Sequence, residues 1–314
     1  MITKALLNLL CDRDKWSQAA KSGIERVDKF YSWQGHAKTY IDRLSELPEK
    51  DETIPSEPPK RVGRYRDRSI FSDLDQNLIG SPEALKRFVG TIKENRKCVT
   101  FGIATGRRID SALAVMKKNN LPVPDILISS LGTRIHYGQS LTEDNYWADH
   151  VDHEWNSQRV RRILGDLPGL KPQPKIEQTR FKVSYFYDPE LAPTVEEIVS
   201  QLRQKEITAN VMLSFGQFLD VIPSRASKGQ ALRYVSQRLD IPLEQILVAG
   251  GSGADEDMMR GNTLAVVVGN RHHEELSQLI DHERIYFAGQ NHALGILEAI
   301  EHYDFFHACK VPEA

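Results

Sequence analysis

The chain has 314 residues, 40% of them hydrophobic and 27% charged, with a formal net charge of −2. That length accommodates two domains with sizeable cores, and the near-neutral balance argues against nucleic acid or an anionic membrane as a partner. No run of about 18 apolar residues and no signal-peptide pattern is present. Cys11, Cys98 and Cys309 stand singly without metal-ligand spacing, which predicts a reduced cytoplasmic protein.

Residues 1–45 read as a helical segment. Leu6, Leu7, Leu9 and Leu10 form one apolar stretch, and Trp16, Ala19, Ala20 and Ile24 recur at helical spacing after Asp14. A third helix is predicted around residues 36–44. Residues 46–66 change in texture: Pro48, Pro55, Pro58 and Pro59 sit among charged residues with little apolar content, the composition of a solvated linker.

The main domain begins next. The apolar run that ends at Ser72 predicts a strand leading directly into Asp73 and Asp75, and Ser81-Pro82-Glu83 marks a helix start. The two carboxylates, two residues apart at a strand end, face the same side. Residues 82–95 then read as a helix, 98–104 as a strand ending at Thr105-Gly106-Arg107, 109–118 as a helix and 125–129 as a strand. This alternation predicts a parallel sheet covered by helices on both faces.

Between residues 134 and 221 the pattern becomes that of half-exposed strands, at 134–137, 180–186 and 218–221, with helices near 157–164 and 193–204. An α+β insert with a one-sided antiparallel sheet is expected there. Buried-type strands return at 246–249, 264–268 and 284–288, and a closing helix runs over 293–303. The predicted fold is thus a doubly wound α/β core, residues 67–133 and 222–306, with a cap inserted over 134–221.

Four predicted strand ends or helix starts carry polar groups that suit a single chemistry. They are Asp73 and Asp75, Thr105, Lys228, and the run from Gly250 to Asp257. Phosphoryl transfer through an aspartyl intermediate needs a carboxylate nucleophile and an acid for the leaving oxygen. It also needs a hydroxyl and a lysine on the phosphoryl oxygens, and a divalent cation against charge repulsion. Singly, Thr105 reads as a helix cap, Lys228 as a surface lysine and Asp255 to Asp257 as an acidic first turn; their order along the chain is the specific signal. A dinucleotide site at Gly250-Gly251-Ser252-Gly253 fails on spacing, because Glu256 stands where the third glycine belongs.

In this order the motifs resemble the haloacid dehalogenase superfamily. More narrowly, the chain is similar to sucrose-phosphate phosphatases and to the phosphatase-like C-terminal domain of sucrose-phosphate synthases. The likeness is carried by residues 131–138, 181–184, 218–221, 228–232 and 295–303 as well as the four motifs. Trp16, Gly23, Phe30, Ser32, Trp33, His36 and Tyr40 resemble the closing helices of the synthase's glycosyltransferase domain.

The resemblance implies Asp73 as nucleophile, Asp75 as acid and base, and Thr105 and Lys228 on the phosphoryl group. It further implies Mg²⁺ held by Asp73, Asp75 and Asp255. Gly106 and Arg107, next to Thr105, and Lys182 and Gln217 of the insert are candidates for substrate contact. Aromatic and polar residues of the insert, Tyr137, Trp147 and Trp155 among them, are candidates for reading a sugar. Three positions depart from the family pattern: Gly251 where it has Asp, Ala254 where it has Asn, and Asn77 where it has Thr.

Two functions follow from different classes. One is a Mg²⁺-dependent phosphohydrolase of sucrose 6-phosphate, favoured by Asp73, Asp75, Thr105 and Lys228. The other is a non-catalytic module that binds sucrose phosphate or docks on a glycosyltransferase polypeptide, favoured by Gly251 and Ala254.

Overall fold

A computed structural model describes residues 10–45, 66–271 and 284–307. Almost all of the expected linker, and most of the apolar stretch from Leu6 to Leu10, lie outside the described residues. The chain divides into two units, residues 1–58 and 59–314.

In the first unit, helix α1 (Arg13–Arg26) is capped by Asp12, whose carboxylate accepts from the amides of Asp14 and Lys15. A π-turn over Val27–Tyr31 leads into α2 (Trp33–Ser45). Trp16 and Trp33 are exposed. Among the described residues no helix is long and apolar enough to cross a membrane.

The second unit is built on an eight-stranded sheet of order β12-β11-β10-β1-β2-β3-β4-β5. Its strands are β1 (Arg68–Ser72), β2 (Val99–Ala104), β3 (Ile126–Ser129), β4 (Arg134–Tyr137), β5 (Thr142–Glu143), β10 (Ile246–Gly250), β11 (Leu264–Val267) and β12 (Ile285–Phe287). All pairings from β12 to β3 are parallel. Successive residues alternate between two cores. Ile70, Leu247 and Ala249 join the layer of α3 (Pro82–Glu94), α4 (Ile109–Lys118) and α10 (His292–His302). Phe71, Ile246 and Val248 join that of α8 (Lys228–Leu239). Both faces are covered, and this is why β1 and β10 are continuously apolar rather than alternating.

Arg134–Tyr137, expected in the inserted sheet, instead pairs antiparallel with β3 in the main one. The chain reverses there because Ser130, Leu131 and Gly132 all have left-handed backbone, with φ of 50°, 60° and 87°. A Cβ on Gly132 would stand 2.1 Å from the Ser227 carbonyl oxygen, so only glycine fits this turn.

The cap carries a four-stranded antiparallel sheet of order β6-β7-β9-β8. Its strands are β6 (Leu170–Pro172), β7 (Val183–Tyr187), β8 (Ala209–Ser214) and β9 (Phe218–Pro223). Val183, Tyr185, Leu219 and Val221 point into a separate core with α6 (Ser157–Leu164) and α7 (Val195–Gln204). Period-two alternation turns Ser184, Phe186, Phe218 and Asp220 to the other face. The thiols depart from expectation too: Cys11 is free, but Cys98 is disulfide-bonded.

Candidate active site

Parallel strands deliver their carboxyl ends to one edge of the sheet, and the polar motif residues collect there. Asp73 extends β1, its amide donating to the Ala249 carbonyl at 2.9 Å. Thr105 follows β2 and is anchored by its own amide on the Ile128 carbonyl at 2.9 Å. Lys228 opens α8 behind the cap Ser227, whose hydroxyl accepts from the Gln230 amide. Asp255 closes the 3₁₀ turn after β10.

Lys228 joins two of these elements. Its Nζ donates to Asp73 Oδ1 at 2.9 Å and to Asp255 Oδ1 at 2.6 Å, and all three side chains are buried. Burial, the largest influence, pushes the Asp73 carboxyl up to about 7 against the pull of Lys228. Burial alone would lower Lys228, but the carboxylates of Asp255 and Asp73 outweigh it and hold the ammonium above its ordinary value.

Asp255, expected among metal ligands, uses both of its oxygens otherwise. Oδ1 receives Lys228, while Oδ2 accepts from the amides of Gly251 and Ser252, each at 3.0 Å, and from the Ser252 hydroxyl at 2.9 Å. It thereby holds the lysine and the Gly251–Ser252 loop in place. Asp257 is likewise committed, accepting from Ser227 and Arg233. Among the described residues, no three or more His, Cys, Asp or Glu side chains are grouped to hold a metal.

Asp75 faces Arg107 across a bidentate pair, accepting from Nε at 2.7 Å and Nη2 at 2.8 Å. Arg107 Nη1 in turn donates to Ser111, and its amide donates to Thr105 Oγ1 at 3.2 Å. Asn77, buried just after the aspartates, directs its Nδ2 toward the Asp75 carbonyl at 3.2 Å and Asp73 Oδ2 at 3.5 Å.

These groups open on a cleft of about 840 Å³ between the sheet edge and the cap. Asp73, Asp75, Gly106, Arg107 and Lys228 line it from the core. The exposed face of the cap sheet supplies the opposite wall, including Lys182, Gln217 and the pair Phe186 and Phe218, whose ring centroids are 6.1 Å apart. Lys182 Nζ donates to Asp220 Oδ1 at 3.2 Å, and Ser184 donates to the same oxygen. Thr105 and Asp255 are buried behind the surface.

Three sugar-reading candidates lie elsewhere. Trp147 is in the core and donates to the Gly132 carbonyl, Trp155 donates to the Arg180 carbonyl, and Tyr137 packs against Arg238. Aromatic rings in a cap serve its packing first, and composition cannot separate the two uses. Sequence reasoning misses Phe186, Asp220 and Gln173 of the wall. The alternation Lys182-x-Ser184-x-Phe186 marks the polar face but not what it faces.

The model of the sucrose-6F-phosphate phosphohydrolase family matches residues 66–304. A probable sucrose-phosphatase of Arabidopsis thaliana is 32% identical over 211 residues, covering 64% of this chain and 50% of that protein. The chain thus spans about half the length of that relative. The mannosylfructose-phosphate phosphatase of Agrobacterium fabrum is 27% identical, over 75% of this chain and 96% of that protein.

Among solved structures, the sucrose-phosphatase of Synechocystis, determined with sucrose and phosphate, superposes with a TM-score of 0.72 at 33% identity. The alignment covers 76% of this chain and 98% of that one. A haloacid dehalogenase-like hydrolase of Bacillus subtilis aligns with a TM-score of 0.55 at 15% identity, a likeness of fold alone.

Proposed function

The chain belongs to the sucrose-6F-phosphate phosphohydrolase family, and on that premise we propose that it hydrolyses a phosphorylated sugar, sucrose 6-phosphate, to sucrose and inorganic phosphate. The observation that carries this reading is the buried Asp73–Lys228–Asp255 array at the floor of a cleft walled by the polar face of the cap. A carboxylate nucleophile needs a fixed cation beside it, and Lys228 is held there from two sides.

Asp73 attacks the phosphorus, forming a carboxylate–phosphorus bond as the bond to the sugar oxygen breaks and Asp75 passes its proton to that oxygen. Water then attacks the same phosphorus while Asp75 takes up its proton; the Asp73–phosphorus bond breaks and phosphate leaves. Lys228 and the Thr105 hydroxyl steady the phosphoryl oxygens throughout. In the open cleft, Arg107 occupies both Asp75 oxygens. A phosphoryl group competing for the guanidinium frees Asp75 to carry its proton.

Asp73 and the Asp75 backbone carbonyl would hold Mg²⁺, being hard oxygen donors of the type it prefers. Bound there, the cation offsets repulsion between carboxylate and phosphate dianion. Lys182 and Gln217, with Gly106 and Arg107 below them, would read the sugar and its phosphate.

A second reading, a binding module that docks on a glycosyltransferase polypeptide, is favoured by Gly251, which offers no side chain to a cation. Phosphate release from sucrose 6-phosphate, with and without added Mg²⁺, tests between them. Metal-dependent release that disappears in Asp73→Asn supports hydrolysis. Binding without release supports the module.

A further inference from the structure

We propose that Asn77 supplies, through its amide oxygen, a ligand to the divalent cation of this cleft in place of a side chain at position 251. The assignment rests on the reading of the cleft as a phosphohydrolase site.

The observation is an orphaned atom. Asn77 is 1% exposed, and its Oδ1 is buried without a hydrogen-bond partner. Its Nδ2 points between two oxygens, the Asp75 carbonyl at 3.2 Å and Asp73 Oδ2 at 3.5 Å. Both separations are long for donation, the second at the limit. One end of the amide is therefore poorly used and the other not at all, an arrangement that costs stability at a buried site.

A cation would change what the end of the amide facing the aspartates meets. The two ends of an amide are nearly the same size, so a half-turn about χ2 exchanges them without repacking. The oxygen then stands roughly 3.2 Å and 3.5 Å from the same two partners. Ligands at right angles around Mg²⁺, each about 2.1 Å from it, lie about 3.0 Å from one another. The two separations made by the Asn77 oxygen would be slightly wider than this, and a bound cation would draw the three oxygens together. Without a cation, three acceptors would repel; with one, all three are satisfied.

Position 251 borders the same space. A Cβ built on Gly251 would lie 3.7 Å from Asn77 Nδ2 and 3.2 Å from Val268 Cγ2. A carboxylate there would approach the quadrant that the Asn77 amide occupies. Both Asp255 oxygens already accept hydrogen bonds, from Lys228 and from Gly251 and Ser252. Asn77 borders this space, is buried and retains an oxygen without a hydrogen-bond partner.

The test measures metal binding without substrate, in the full chain, by Mn²⁺ paramagnetic resonance with Mg²⁺ as competitor. Wild type should bind one ion. Asn77→Ala should weaken binding by at least about tenfold, the lower bound for losing even an indirect contact. Asn77→Asp, which removes the donor and keeps an acceptor, should tighten it. Gly251→Asp should restore affinity to the Asn77→Ala chain and add little to wild type.

Unchanged affinity in Asn77→Ala, or weaker binding in Asn77→Asp with its urea midpoint intact, overturns the assignment. So does a wild type that binds no ion while Gly251→Asp does. Phosphate release is assayed separately. A metal-binding chain that releases none from sugar phosphates refutes hydrolysis while leaving the ligand assignment standing.

Discussion

At the scale of single residues, Asp73 couples chemistry to stability. Its carboxyl titrates near 7, above the ordinary aspartate range, because burial outweighs Lys228. The folded state therefore holds this proton more tightly than the unfolded chain. The resulting stabilisation is complete below the ordinary aspartate value and declines as pH rises to about 7. Asp73→Asn should lack that decline, so its urea midpoint relative to wild type should rise over this interval in metal-free buffer. On the proposed mechanism, the same variant should lose phosphate release by about 10⁴-fold or more. Lys228→Met acts in the opposite sense on the fold. It leaves Asp73 and Asp255 buried without their shared cation and should cost about 3–5 kcal/mol in equilibrium denaturation.

At the scale of elements, the strand β12 and helix α10 are tied by one carboxylate. Glu298 accepts from the Tyr286 hydroxyl at 2.6 Å and from the amides of Gln290 and Gly289 at 2.9 and 3.2 Å. The hydrogen bond from Tyr286, foremost, and those amides lower its pKa. A depressed carboxyl contributes stability above the ordinary glutamate value and loses it as pH falls through the folded value. Acid denaturation curves of Glu298→Gln should accordingly be flatter than wild type in that window and coincide in slope near neutrality. The β3–β4 turn is the second constraint of this kind. Gly132→Ala would drive a methyl against the Ser227 carbonyl in a left-handed residue, next to the first turn of α8. Loss of melting temperature, together with weaker phosphate binding through displaced Lys228, is the expected result.

At the scale of the molecule, every group assigned to the site lies in the unit of residues 59–314. That unit contains the complete eight-stranded sheet and the cap sheet. A chain reduced to residues 59–314 should fold with an unchanged thermal midpoint and keep the phosphate-releasing or sugar-phosphate-binding behaviour of the whole. A truncated chain that folds but loses this behaviour would assign residues 1–58 a part in it.

Local chemistry is enough to read much of this protein. Continuous apolar strands alternating with amphipathic helices require a parallel sheet buried on both faces, and such a sheet brings Asp73, Thr105 and Asp255 to one edge. The cap's one-sided strands are readable from period-two alternation. Arg134–Tyr137 cannot be assigned to its sheet by pattern, because a short alternating strand reads alike in either one. Its place depends on the left-handed turn at residues 130–132, which needs the Ser227 backbone as a neighbour. The hydrogen-bond partners of Asp255 and Asn77 are equally hidden. Motif order marks a carboxylate as available, but only packing settles whether its oxygens are already filled by Lys228 and the Gly251–Ser252 amides. Sequence dictates which polar groups reach the sheet edge. Packing selects which of their atoms remain free, because hydrogen-bond partners there come from distant segments, Asp73 and Lys228 being 155 positions apart.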